Sequence, residues 1–345
     1  MSNLYTEKPV FVTGATGYIA KHIVLMLLNR GYRVRGSARS INRTAEMHAA
    51  LAPHLEDAAA LDRLEIVALD LSKDAGWTDA LAGCGALLHT ASPFPLNQPK
   101  DPEETIRPAV DGTLRALKAA KSAGIARVVL TSSTVSVSYG WDGAESRKST
   151  EDDWTNPDAP NLTPYAVSKT LAEKAAWSFA DEKNLRMTAV NPSFVVGPPL
   201  DANFGTSIEI VERLLAAKDP MLPEIGFASV DVRDIAEIHV RALEQDETIG
   251  QRMIGACDQF LWFKDLAMAL KEAYPKRRIV TRVAPGFMLR LFALFDPSLK
   301  GILPDIGKKR EADGSRARDL LGRDYRDTRK SFVEAAAFLI DRGIA

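Results

Sequence analysis

Of the seven tyrosines in the sequence, Tyr165 alone has a lysine four residues later, Lys169. On a helix, a spacing of four stacks two side chains one turn apart on the same face. The segment from Tyr165 to Lys174 reads as helix, with Pro164 as a good starting residue. An ammonium beside a phenol favours the tyrosinate and lowers the tyrosine from its usual value of about 10. Such a phenol is a competent acid toward an alkoxide forming on a reduced carbonyl. Ser133 follows the run Val129-Leu130-Thr131-Ser132, at the carboxyl end of an expected strand. Parallel sheets deliver functional groups at that end, and a hydroxyl there suits donation to a substrate oxygen.

A second constellation suits phosphate. Gly14-Ala15-Thr16-Gly17-Tyr18-Ile19-Ala20 follows the run Val10–Thr13 and opens a helical pattern. Glycines at positions 14 and 17 allow a tight turn and close backbone approach to a pyrophosphate. The free N–H groups and positive end of the next helix favour the anion, and Ala20 is small enough to keep helix and strand close. The second strand, whose end would carry an acid if it were to hold a ribose 2′-hydroxyl, instead reads Val34-Arg35-Gly36-Ser37-Ala38-Arg39. Arg39, with Ser40 and Arg43 behind it, suits a 2′-phosphate, because guanidinium donates two parallel hydrogen bonds to such a group. The expected cofactor is therefore NADP(H).

The elements that must hold these residues can be read in turn. Short apolar runs at Val10–Thr13, Tyr32–Ala38, Leu64–Asp70, Ala86–Thr90, Ala126–Ser132 and Met187–Asn191 read as strands covered on both faces. Helical patterns alternate with them, at Tyr18–Arg30 and Asp111–Ala123, each followed by a glycine. This grammar predicts an α/β, doubly wound parallel sheet of Rossmann type, with a smaller C-terminal substrate-binding lobe. The division expected is 1–191 for the NADP-binding domain and 192–345 mainly for the lobe, with a return to the first domain at about 230–245. Further helices are expected at Thr206–Ala217, Ile235–Glu244 and Lys264–Ala273.

Composition narrows the function classes. Lys and Arg number 44 against 45 for Asp and Glu, so there is no basic footprint for nucleic acid. The two cysteines form no C-x-x-C pair and the five histidines no metal-binding spacing, so no metal is expected. Residues 1–9 carry Glu7 and do not read as a secretory signal. The apolar stretch from Val283 to Phe295 is cut by Pro285 and Arg290, too interrupted to span a bilayer. A cytoplasmic protein, monomeric or homodimeric, is expected. Phe94, Tyr139, Phe194 and Phe204 follow expected strands or lie in the linker beyond them, where they would wall an apolar pocket.

These segments together resemble the extended short-chain dehydrogenases/reductases. Within that family the chain is most similar to the dihydroflavonol-reductase and cinnamoyl-CoA-reductase-like group, which includes yeast-type methylglyoxal and ketone reductases. The segments that carry the resemblance are 13–20, His89-Thr90-Ala91-Ser92-Pro93-Phe94, 130–133, 165–177 and Asn191-Pro192-Ser193-Phe194-Val195-Val196-Gly197-Pro198. It implies that Ser133, Tyr165 and Lys169 form a catalytic triad, with Lys169 also on the nicotinamide ribose. It places Asp70 and Leu71 at the adenine, Ala91 and Ser92, next to Thr90, along the cofactor path, and Pro192 and Ser193 at the carboxamide. Read alone, Asp70 is a turn or cap residue. Two departures narrow the substrate. Ser138 stands where flavonoid reductases carry Asn or Asp, and residues 171–180 lack the cysteine of the CoA-ester enzymes. The expectation is NADPH-dependent reduction of an aldehyde or ketone to the alcohol, by a reductase of broad range with Tyr165 as proton donor. The alternatives are a nucleotide-sugar epimerase or dehydratase, a hydroxysteroid dehydrogenase and, from another class, a non-catalytic NADP sensor.

Overall fold

In the first half of the chain, strands and helices alternate as β1 (Val10–Thr13), α1 (Tyr18–Asn29), β2 (Val34–Ala38), α2 (Thr44–Leu51), β3 (Leu64–Ala68), α3 (Trp77–Leu81), β4 (Ala86–His89), α4 (Glu103–Ser122), β5 (Arg127–Thr131), α5 (Pro164–Lys183) and β6 (Arg186–Pro192). The computed structural model describes residues 7–92, 101–145, 147–292 and 302–345. The second half contributes β7 (Phe194–Val196), α6 (Thr206–Leu215), β8 (Gly226–Asp231), α7 (Val232–Glu244), β9 (Arg252–Gly255), β10 (Phe260–Trp262), α8 (Phe263–Ala273), α9 (Gly286–Phe292), α10 (Ser315–Leu321) and α11 (Thr328–Asp341).

Seven strands form one parallel sheet in the order β3-β2-β1-β4-β5-β6-β9. Successive residues of a strand face opposite sides, and β1 uses both. Val10 and Val12 pack with Ile23 and Leu27 of α1 and Ile235 of α7, whereas Phe11 packs with Leu117 of α4 and Ala176 of α5. All four residues of β1 are buried, which is why the run reads as continuously apolar. Chain order reverses between β1 and β4, so the loops at their carboxyl ends open a crevice there.

A smaller sheet, β10-β8-β7, lies with α6, α8 and α11 in the second lobe. Its core includes Val211, Leu261, Leu270, Phe332 and Leu339. The sequence reading had six strands in the large sheet; β9 is a seventh, paired with β6 from Ala189↔Arg252 to Pro192↔Gly255. Arg-Met-Ile-Gly is too short and mixed to announce a strand, and only the pairing reveals it. α4 also begins at Glu103, ahead of the expected Asp111, because Pro108 is accommodated within the helix instead of ending it.

Candidate active site

The pair Tyr165 and Lys169 lies in the first two turns of α5. Thr163 caps this helix, its hydroxyl accepting from the Ala166 N–H at 3.2 Å, and Pro164 occupies the first turn. On the facing side, the Ser132 N–H donates to the Val190 carbonyl at 2.7 Å, extending the sheet by one residue past β5. Ser133 is extended, and a single 3₁₀ turn over Thr134–Ser136 follows it. This turns the Ser133 hydroxyl toward the Tyr165 phenol, and both line one cleft.

The electrostatics differ from the expectation in one respect. Burial dominates at Tyr165 and raises it above 10, opposed by the neighbouring Ser133 hydroxyl. The phenol therefore stays protonated. Burial also lowers Lys169 to about 8, and the carboxylate of Glu173 one turn further along opposes that. Desolvation disfavours the charged form of each group, so the two shift in opposite directions.

A continuous cleft of about 670 Å3 joins this trio to the glycine loop, from Gly14 and Gly17 past Tyr165 and Lys169 to Ser193. Gly14 has φ +62°, and a Cβ there would lie 3.1 Å from that of Ala91. Both the backbone sign and the crowding require glycine. Thr13 ties the loop to the end of β4. Its hydroxyl oxygen accepts from the Thr90 and Ala91 N–H groups, each at 3.0 Å, and lies 2.9 Å from His89 Nδ1. With both amides donating, the Thr13 proton goes to Nδ1 and His89 carries its own on Nε2. The Thr90 hydroxyl donates to the Thr13 carbonyl.

Around the loop, Arg43 donates to the Thr16 hydroxyl at 2.8 Å and grips Glu46 with two hydrogen bonds. Arg39 is exposed and has no ion pair among the described residues. The Tyr18 hydroxyl donates to the Gly197 carbonyl at 2.7 Å, so Tyr18 reaches toward the second lobe, and Ile19 lines the cleft. Asp70 accepts from the N–H and hydroxyl of Ser72, which hold its carboxyl below the usual range. Leu71 lies against Gly112 of α4, and Ser92 approaches Lys169 from behind.

At the far end of the cleft, Tyr139 lies under the Arg310 guanidinium at 4.5 Å, and Phe194 stacks on Phe227 at 4.5 Å. Ser138 is buried, with its hydroxyl committed to the Thr134 carbonyl at 2.8 Å. Phe204, expected in the pocket wall, instead packs against the core cluster that includes Ile208 and Val211 of α6. Phe94 lies outside the described residues. Asp305 and Arg310 come from a segment whose sequence carried no signal for the site. Glu173, Asn191 and Arg252 form a buried polar cluster beneath the trio, and no role for them was expected.

These residues fit a bound dinucleotide. The Gly14–Gly17 turn leaves backbone room for a pyrophosphate, and Arg39 is open at the end of β2. The Ser193 hydroxyl is buried without a partner among the described residues and lines the same cleft. Among the same residues no group of three or more His, Cys, Asp or Glu could hold a metal ion, and no helix is long and apolar enough to cross a membrane.

The model of the NAD dependent epimerase/dehydratase family matches residues 10–255. The chain belongs to that family. It is 34% identical to a putative NADPH-dependent methylglyoxal reductase of Candida albicans, over 96% of this chain and 98% of the relative. It is also 34% identical to a cinnamoyl-CoA reductase of Medicago truncatula, over 82% and 86% of the two chains. Among solved structures, a yeast methylglyoxal/isovaleraldehyde reductase complexed with NADPH matches at a TM-score of 0.79 and 30% identity, covering 98% of this chain and all of that one.

Proposed function

We propose that this family member is an NADPH-dependent reductase of a small aldehyde or ketone. The observation that carries the reading is the convergence of Ser133, Tyr165 and Lys169 in one cleft that continues to the glycine loop. When bound, the reduced nicotinamide supplies a hydride to the carbonyl carbon. Ser133 donates to the carbonyl oxygen and orients it. Tyr165 gives its proton to that oxygen as the C=O double bond becomes a C–O–H group, and its raised value ensures that the proton is there to give. Lys169 places a positive charge near the tyrosinate that remains. Arg39, with Arg43 near it, favours the 2′-phosphate, and the NADPH-dependent relatives support that choice. Phe194 and Phe227 offer an apolar wall for the substrate, and Asp305 and Arg310 a polar limit to it. We place the enzyme in the cytoplasm, a setting supported by two buried free cysteines.

The test is oxidation of NADPH, followed by absorbance, against aliphatic and aromatic aldehydes, ketones and a dihydroflavonol. The expected result is turnover of small carbonyl compounds, faster with NADPH than with NADH. Cofactor that binds but is consumed with no carbonyl compound would refute the reading in favour of an epimerase or a sensor.

A further inference from the structure

Directly beneath the trio lies a carboxylate with more hydrogen bonds than its own burial demands. Glu173 is one turn beyond Lys169 on α5 and is 1% exposed. Its Oε2 accepts from the Ser132 and Ser136 hydroxyls, each at 2.6 Å, and from Asn191 Nδ2 at 2.8 Å. Its Oε1 accepts from Arg252 Nε at 2.7 Å and Trp177 Nε1 at 3.2 Å. An ion pair with Arg252 alone would offset much of the desolvation cost of this carboxylate. Two of the remaining donors also meet Ser133. Ser136 Oγ and Asn191 Nδ2 also approach the Ser133 carbonyl, at 2.7 Å and 3.3 Å. Ser132 and Ser136 bracket Ser133 in the chain, so a carboxylate held by both fixes the turn that aims its hydroxyl at Tyr165.

The same group faces Lys169. Among the described residues, the titratable and charged groups around that ammonium are Tyr165 and Glu173 on its own helix and His89 from β4, with Thr113 of α4, Thr131, Ser132 and Ser92 also near. His89 is buried, and burial lowers it to about 3, so it brings no charge at neutral pH. Arg252, from β9, sits on the other side of Glu173 and is stacked on Trp154 at 3.9 Å. Glu173 is thus the negative charge that faces the lysine.

We propose that Glu173 is a positioning residue for this site, clamping the 132–136 turn that aims Ser133 and keeping Lys169 in its charged form, with Arg252 anchoring it from the seventh strand. This rests on the reductase reading for the roles of Ser133 and Lys169, but the coupling between Glu173 and Lys169 is measurable without turnover.

The experiment compares the wild type with Glu173→Gln, which keeps the shape and removes the charge. Lys169 is labelled with an amine-reactive reagent across a pH series, and the labelled peptide is quantified by mass spectrometry. The labelling midpoint is expected to fall by about one unit in the variant. In parallel, kcat for carbonyl reduction is expected to fall at least about tenfold, with its alkaline limb moved to lower pH and KM for the carbonyl compound changed far less. A folded Glu173→Gln protein with the wild-type labelling midpoint, pH profile and kcat would overturn the proposal. Should that variant not fold, Ser136→Ala removes one donor of the clamp and leaves the charge. It is expected to lower kcat with KM and the Lys169 midpoint unchanged, and wild-type kcat in it would overturn the clamp. If the wild type reduces no carbonyl compound, the reductase reading fails, while the labelling midpoints still decide the Glu173–Lys169 coupling.

Discussion

Tyr165 and Lys169 are paired in sequence by spacing alone, yet burial sets the properties of both. Lowered to about 8, Lys169 loses its charge as pH rises through that value, well before an exposed lysine at 10.5 would. The kcat/KM for the cofactor, which reports the free enzyme, should therefore decline above about pH 8. A profile flat to pH 10 would show the lysine to be unshifted. Arg39 makes a second, separable prediction. Charge-assisted hydrogen bonds contribute about 1.5–3 kcal/mol, so Arg39→Ala should cut the preference for NADPH over NADH about ten- to hundredfold. Measuring KM for both cofactors checks this, and an unchanged ratio would remove Arg39 from the site. At this scale the sequence was informative wherever chemistry is local, as in the glycine loop and the Tyr165–Lys169 helix. It was silent on Arg252, 79 residues from the carboxylate it pairs with, because nothing local marks a long-range ion pair. Phe204 misled for the opposite reason: an aromatic after a strand packs inward as readily as it lines a pocket.

Among the elements, β2 shows how tightly strand and loop are matched. A Cβ at Gly36 would come within 2.6 Å of the Ala15 Cβ and 3.1 Å of Ile66 Cδ1. The glycine loop therefore rests directly on the second strand. Gly36→Ala should cost about 1–3 kcal/mol of stability, as overpacking does, and raise the cofactor KM by displacing residues 14–17. Calorimetry and cofactor titration check the two effects, and a variant indistinguishable from wild type would show that the loop does not depend on this contact. The first six strands were legible because a sheet covered on both faces needs continuous apolar runs. β9 was not, since a four-residue edge strand takes its identity from pairing with β6. In the smaller sheet, β7 was hidden similarly, a three-residue strand between Pro192 and the Gly197-Pro198-Pro199 run.

Taken whole, the molecule buries three histidines from separate elements: His22 on α1, His89 on β4 and His239 on α7. Burial lowers His22 and His239 to about 4 and His89 to about 3. The unfolded chain takes up protons near pH 6.5, and the folded one does not until far lower. Stability from these groups is thus fully present above pH 6.5 and is lost as pH falls toward 4. Each unit of pH in that window costs about 1.36 kcal/mol per histidine. Thermal melts from pH 7.5 to 5 should show Tm falling steeply below about pH 6, and a constant Tm across the range would mean that the histidines are not held neutral. The sheet order and the crevice at its reversal bring residues from positions 14, 133, 165 and 193 into one cleft, a convergence that the alternation of strands and helices already implied.

In the proposed reaction, hydride leaves the cofactor for a carbonyl carbon while Tyr165 protonates the oxygen. The most direct measurement uses NADPH deuterated at the transferable position of the nicotinamide, with mass spectrometry of the product. The expected result is one deuterium on the carbinol carbon of the alcohol, and a loss of about 10²–10⁴ in rate in Tyr165→Phe with cofactor binding retained. An alcohol formed without deuterium, or a Tyr165→Phe enzyme at full rate, would contradict it.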